Sequence, residues 1–116
     1  MRAAPVVAAL AIGLAGCSPA ATSSVQEGAL RYVALGDSYT IGTSVNPDKS
    51  WPSQLVAQVP ALELVANLGV NGYTSSDLIA DELPQLHALQ PEFVTLQIGV
   101  NDVVQGVPEG VYQVNV

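Results

Sequence analysis

The sequence predicts an α/β domain built on a parallel sheet, and three observations carry that expectation. Apolar runs of strand length stand at residues 32–35, 62–67 and 93–98. Segments with helical spacing separate them, and each crossover has roughly two dozen residues, ample for a parallel connection. Each run also passes directly into a glycine-bearing loop. Completed, such a sheet would be doubly wound.

The first strand is read at residues 32–35, Tyr32-Val33-Ala34-Leu35, which are apolar throughout instead of alternating and so suit burial on both faces. Gly36 lets the backbone turn sharply, and Asp37-Ser38-Tyr39 follows. A serine at the carboxyl end of a parallel strand sits where open α/β sheets hold their ligands, so Ser38 is the candidate nucleophile. By themselves Gly36-Asp37-Ser38 read more readily as a plain turn, and the rest of the chain has to overturn that. Asn46-Pro47-Asp48 marks a turn, and Ser50 is placed to cap a helix with Pro52 in its first turn. Trp51, Leu55, Val56 and Val59 form its apolar face, and Pro60 ends it.

The second strand, 62–67, leads into Leu68-Gly69-Val70-Asn71-Gly72. Thr74 with Asp77 three residues on predicts a capped helix, whose apolar side is read as Leu78, Ile79 and Leu83. Pro84 should kink or restart it, and Pro91 stops it. After the third strand, Gly99-Val100-Asn101-Asp102 is read as a loop, and a further helix is expected from Glu109.

The N-terminus is set apart from this domain. Met1-Arg2 and the apolar run 6–14 suit a secretory signal and are too short to span a bilayer. Leu14-Ala15-Gly16-Cys17 resembles the lipobox of bacterial lipoproteins, which implies a signal peptide at 1–16, lipid attachment at Cys17 and a membrane-anchored envelope protein. The alternative is an ordinary signal peptide and a secreted product. Residues 17–30, with Pro19, Ser23 and Ser24, read as a flexible tether. With 116 residues there is room for one small domain. The net charge is −7, or −8 once Arg2 is removed (two basic against ten acidic groups), which disfavours nucleic acid as a partner. With one histidine and one cysteine, no metal cluster or cofactor is expected, and Lys49 follows no phosphate-binding glycine loop.

Because the strands are parallel, the three loops open at one edge of the sheet. They bring a hydroxyl, glycine N–H groups and a carboxamide, the parts of a nucleophile and an oxyanion hole. Gly36-Asp37-Ser38-Tyr39, residues 67–72 and Gly99-Val100-Asn101-Asp102 together resemble the first three sequence blocks of the SGNH/GDSL hydrolases, over residues 32–116. The resemblance implies a three-layer flavodoxin-like parallel sheet, here truncated after the third strand, and a serine ester hydrolase acting on small acyl esters. It implies Ser38 as nucleophile and first oxyanion donor, Gly72 as second and Asn101 as third. Gly69 is the other possible glycine donor. Tyr39 stands where the family often has leucine.

The family's Asp-x-x-His block, which supplies the base, does not occur in these residues. His87 is the one histidine, and from Thr74 to His87 a helix would cover roughly 20 Å away from the loop edge. It is read as a surface residue. The chain is therefore expected to be a fragment of an esterase. A non-catalytic module that keeps the pocket, or an acyltransferase on the same site, are the competing readings. The 116-residue polypeptide alone is expected to be poorly stable and nearly inactive. Cooperative melting together with enzyme-like turnover of p-nitrophenyl acetate would refute this.

Overall fold

The computed structural model describes residues 28–116. Three parallel strands, β1 (Leu30–Gly36), β2 (Leu62–Asn67) and β3 (Phe93–Gln97), lie in the order β2-β1-β3. The apolar first strand is thus central. Its residues Tyr32, Val33, Ala34 and Leu35 are at most 1 % exposed, as the unbroken apolar run requires. Tyr32 lies opposite Leu64 on one side and Phe93 on the other, and the register with β2 shifts between Tyr32 and Val33. The buried Tyr32 hydroxyl is satisfied by Thr95 Oγ1 at 2.7 Å.

Helical segments fill the connections. α1 (Ser38–Ile41) follows β1 at once, and α2 (Trp51–Gln58) packs on β2 with Trp51, Leu55, Val56 and Val59 half-buried. Ser50 occupies the capping position of α2 without capping it. Its hydroxyl instead donates to the Pro47 carbonyl (2.9 Å), closing the preceding 3-10 turn Pro47–Lys49. α3 (Ser75–Asp77) opens with the expected capping box: Thr74 Oγ1 accepts from the Asp77 N–H, and Asp77 accepts from the Thr74 N–H at 2.9 Å.

The segment then changes pitch twice. A π turn spans Leu78–Glu82, closed by the Leu83 N–H on the Leu78 carbonyl, and a 3-10 turn spans Leu83–Gln85 around Pro84. α4 (Leu86–Leu89) completes it. Its inward stripe differs from the expected one. Leu78, Glu82, Leu86 and Leu89 face the sheet, whereas Ile79 and Leu83 are 39 % and 38 % exposed. Four-residue spacing from Leu78 selects Glu82 and Leu86, and the core of Val33, Leu35 and Leu78 is closed by Leu86 and Leu89 with Val65, Ala66, Leu68 and Ile98.

The loop after β3 is also shorter than expected, only residues 98–99. α5 (Val100–Val104) begins immediately, because Gly99, at φ 126°, reverses the chain within one residue. α6 (Glu109–Asn115) matches the expected last helix.

Gly36 is the tightest point of the sheet. A Cβ there would strike Thr40 Oγ1 and the Gln97 carbonyl oxygen. Gly36→Ala should therefore cost about 2–4 kcal/mol by forcing β1 from β3. Urea unfolding of the variant against wild type measures this.

Candidate active site

The turn that carries Ser38 is built by Asp37 and Gly36. Asp37, 1 % exposed, caps α1 by accepting the Tyr39 N–H at 2.9 Å. Ser38 is then the first helical residue, half-buried, and Tyr39 beside it is 62 % exposed. The first N–H groups of a helix have no partner within it, so the Ser38 N–H belongs to a set of donors free of the helix ladder.

The second loop is sewn to the first. The Leu68 and Val70 N–H groups donate to the Ala34 and Gly36 carbonyls (2.8 and 3.2 Å), and Asn67 Nδ2 donates to the Thr40 carbonyl at 2.8 Å. The two glycines of this loop do different work. A Cβ at Gly69 would lie 2.7 Å from the Ile41 nitrogen and 2.8 Å from the Asp37 carbonyl oxygen, and the Gly69 N–H already donates to Asn67 Oδ1 at 3.2 Å. Gly69 is a packing glycine. Gly72 has open space around its Cα but φ 85°, in a turn closed by the Tyr73 N–H on the Val70 carbonyl.

The third loop is tied to the second. Asn101, half-buried on α5, donates one amide hydrogen to the Tyr73 carbonyl at 2.8 Å, leaving a second hydrogen on the same nitrogen. Gln105 Nε2 donates to the Gly72 carbonyl at 2.7 Å. Asp102, 2 % exposed, anchors α5 to α3 by accepting the Ser75 N–H (2.9 Å) and hydroxyl (2.6 Å). A hollow of about 270 Å³, lined by Asp37, Tyr39, Gln97, Ile98 and Val100, lies where the first and third loops meet. Ser38, Gly72 and Asn101 thus stand on three loops at one edge, the second bonded to the first and to the third.

His87 is on the other side of the molecule. It is exposed on α4, whose last carbonyls, Leu89 and Gln90, accept from the Arg31 guanidinium at 2.7 and 3.2 Å. Arg31 is the second residue of β1, five positions before Gly36, roughly 17 Å along the strand. Cys17, the signal segment 1–16 and the tether up to residue 27 lie outside the described residues.

The sequence profile of the GDSL-like lipase/acylhydrolase family matches residues 34–116. The chain belongs to this family. No curated protein sequence matches it. Among solved structures it is similar to a protein from Desulfitobacterium hafniense DCB-2, described as lipolytic and of the G-D-S-L family. That match has 30 % identity and a TM-score of 0.65 and covers 74 % of this chain and 48 % of the other. The psychrotrophic esterase EstA of Pseudoalteromonas sp. is similar at 24 % identity (TM-score 0.64; 73 % and 48 % covered). The SGNH-hydrolase family esterase AlinE4 is similar at 22 % (TM-score 0.69; 75 % and 49 %). The chain spans about half the length of these structures.

In this GDSL-like chain one polar residue at the site was missed in the sequence. Glu82, 1 % exposed, accepts the Gly36 N–H on Oε2 at 2.8 Å, while Oε1 has no partner among the described residues. The available signal was its place midway between Leu78 and Leu86 on a four-residue stripe. Burial pushes its carboxyl up from 4.5 to about 7, against the Gly36 hydrogen bond and helped by the nearby Asp37 and Asp81 charges. The folded chain then holds a proton that the unfolded chain releases near 4.5, so ionisation opposes folding. Stability should fall as pH rises from about 5 to 8, and Glu82→Gln should flatten that slope in melting curves.

Proposed function

We propose that the chain carries the nucleophile and oxyanion hole of a serine ester hydrolase. The observation that supports this reading is a second loop bonded both to the first and to the third at a single sheet edge, with Asn101 bonded next to Gly72. Ser38 Oγ attacks the ester carbonyl carbon and gives its proton to a base. The oxyanion that forms accepts from the Ser38 N–H, the Gly72 N–H and the Asn101 amide. Collapse expels the alcohol and leaves an acyl-serine, which water hydrolyses to the acid. Gly72 is favoured over Gly69 because the Gly69 N–H is already engaged.

His87 is too far to serve as the base, and the Asp37 carboxylate is committed to the Tyr39 N–H. We therefore assign the base to neither of these residues. An acyl acceptor other than water would make the same site an acyltransferase. The substrate is a small acyl ester, and the excess of acidic groups argues against nucleic acid. The leader and Cys17 support export as a lipid-anchored envelope protein, its membrane contact made through that anchor.

The test is covalent labelling by a fluorophosphonate in the full-length protein, which requires an activated hydroxyl. Wild type should be labelled on Ser38, and Ser38→Ala should abolish both labelling and ester hydrolysis. Asn101→Ala should lower kcat by about 10²–10³. Absence of labelling in the wild type would favour a non-catalytic module that keeps the pocket.

A further inference from the structure

Glu82 is a buried acid that the ester-hydrolysis scheme does not use. It lies on the inward stripe of the segment after β2, where a leucine would be cheaper to bury. Its one partner among the described residues is the Gly36 N–H, two residues before Ser38.

Gly36 is held on every side. Its carbonyl accepts from Val70, its Cα is closed in by Thr40 Oγ1 and the Gln97 carbonyl, and its N–H is held by Glu82. Val70 and Gln97 act through main-chain atoms and Thr40 through a short side chain. Glu82 is the one charged group in the set, and it joins a separate helical segment to the end of β1. The direction of the Gly36 N–H fixes the peptide plane before it and so the path of the chain into Asp37 and Ser38.

We propose that Glu82 is a positioning residue for Ser38, its carboxyl fixing the Gly36 N–H and with it the orientation of the turn that presents the nucleophile. This rests on the reading of Ser38 as nucleophile. The charged groups facing the carboxyl are Asp37 in the turn and Asp81 beside it on its own segment, both acidic. Tyr73, from the second loop, is linked to Asp81 through its hydroxyl at 2.8 Å. With no cation facing it among the described residues, the carboxyl ionises late, and its charge state reaches the turn through the Gly36 hydrogen bond.

The experiment compares wild type, Glu82→Gln and Glu82→Leu in the full-length protein by two readouts. The first is the pH titration of the Gly36 and Ser38 amide signals by NMR. The second is the rate of Ser38 labelling by a fluorophosphonate. In wild type both amides should titrate together with one midpoint near 7. Glu82→Gln, which keeps the acceptor, should remove that midpoint and label within about threefold of wild type. Glu82→Leu should label about tenfold more slowly or worse, with the Tyr32 and Val33 amides unmoved. Labelling of Glu82→Leu at the wild-type rate, or a Ser38 amide that does not follow Gly36, overturns the proposal. If Glu82→Leu does not fold, the Glu82→Gln titration decides: a midpoint retained at Ser38 overturns it, and one lost supports it. If wild-type Ser38 is never labelled, the hydrolase reading fails, while the paired titration still decides the role of Glu82.

Discussion

The structure depends on a strand that has no exposed face. Residues 32–34 are paired on both edges and 32–35 are covered on both sides, so main-chain groups must be bonded and side chains must be apolar or matched. Tyr32 is the one polar member, and its hydroxyl finds Thr95 on the neighbouring strand. The strand leaves the sheet at Gly36, where a Cβ would strike Thr40 Oγ1 and the Gln97 carbonyl oxygen, and the turn that carries Ser38 inherits its position from that exit.

Beyond that exit the loops are tied to one another, and few of the ties use charge pairs. The second loop extends the parallel hydrogen-bond ladder past the end of β2, and the third is fastened to the second by a carboxamide and a glutamine. Asp102 adds a buried carboxylate held by both hydrogens of Ser75, and Asn115 of α6 donates to the same Ser75 hydroxyl at 2.9 Å. Neutral amides and hydroxyls lose little when buried in pairs, whereas an ion pair would lose its hydration.

The three strands and the location of their loops were legible in the sequence because burial on both faces leaves an unambiguous apolar run. Thr74 with Asp77 was legible for a related reason, a local pattern with a local cause. Three features were not. Ser50 had the right type for a cap, but the Pro47 carbonyl competes for its hydroxyl. Asn101 and Asp102 read as loop residues because nothing local announces that Gly99 reverses the chain in one step. The stripe of the second crossover was misread because Ile79 and Leu83 look more apolar than Glu82, and hydropathy cannot tell that an acid has a main-chain donor waiting 46 positions earlier. Each miss comes from a partner outside the local pattern overriding a local preference.

The π turn at Leu78–Glu82 widens one helical turn by a residue. Removing a residue there would give a more regular helix and better local hydrogen bonding, but would rotate the flanks against each other by about 100°. Thr74 and Ser75 would then lose register with Leu86 and Leu89, and the acid could not reach the end of the central strand. The segment is thus caught between two optima, one for its own backbone and one for its neighbours. A length change of one at this point, harmless in most exposed helices, would uncouple the outer layer from the edge that carries Ser38.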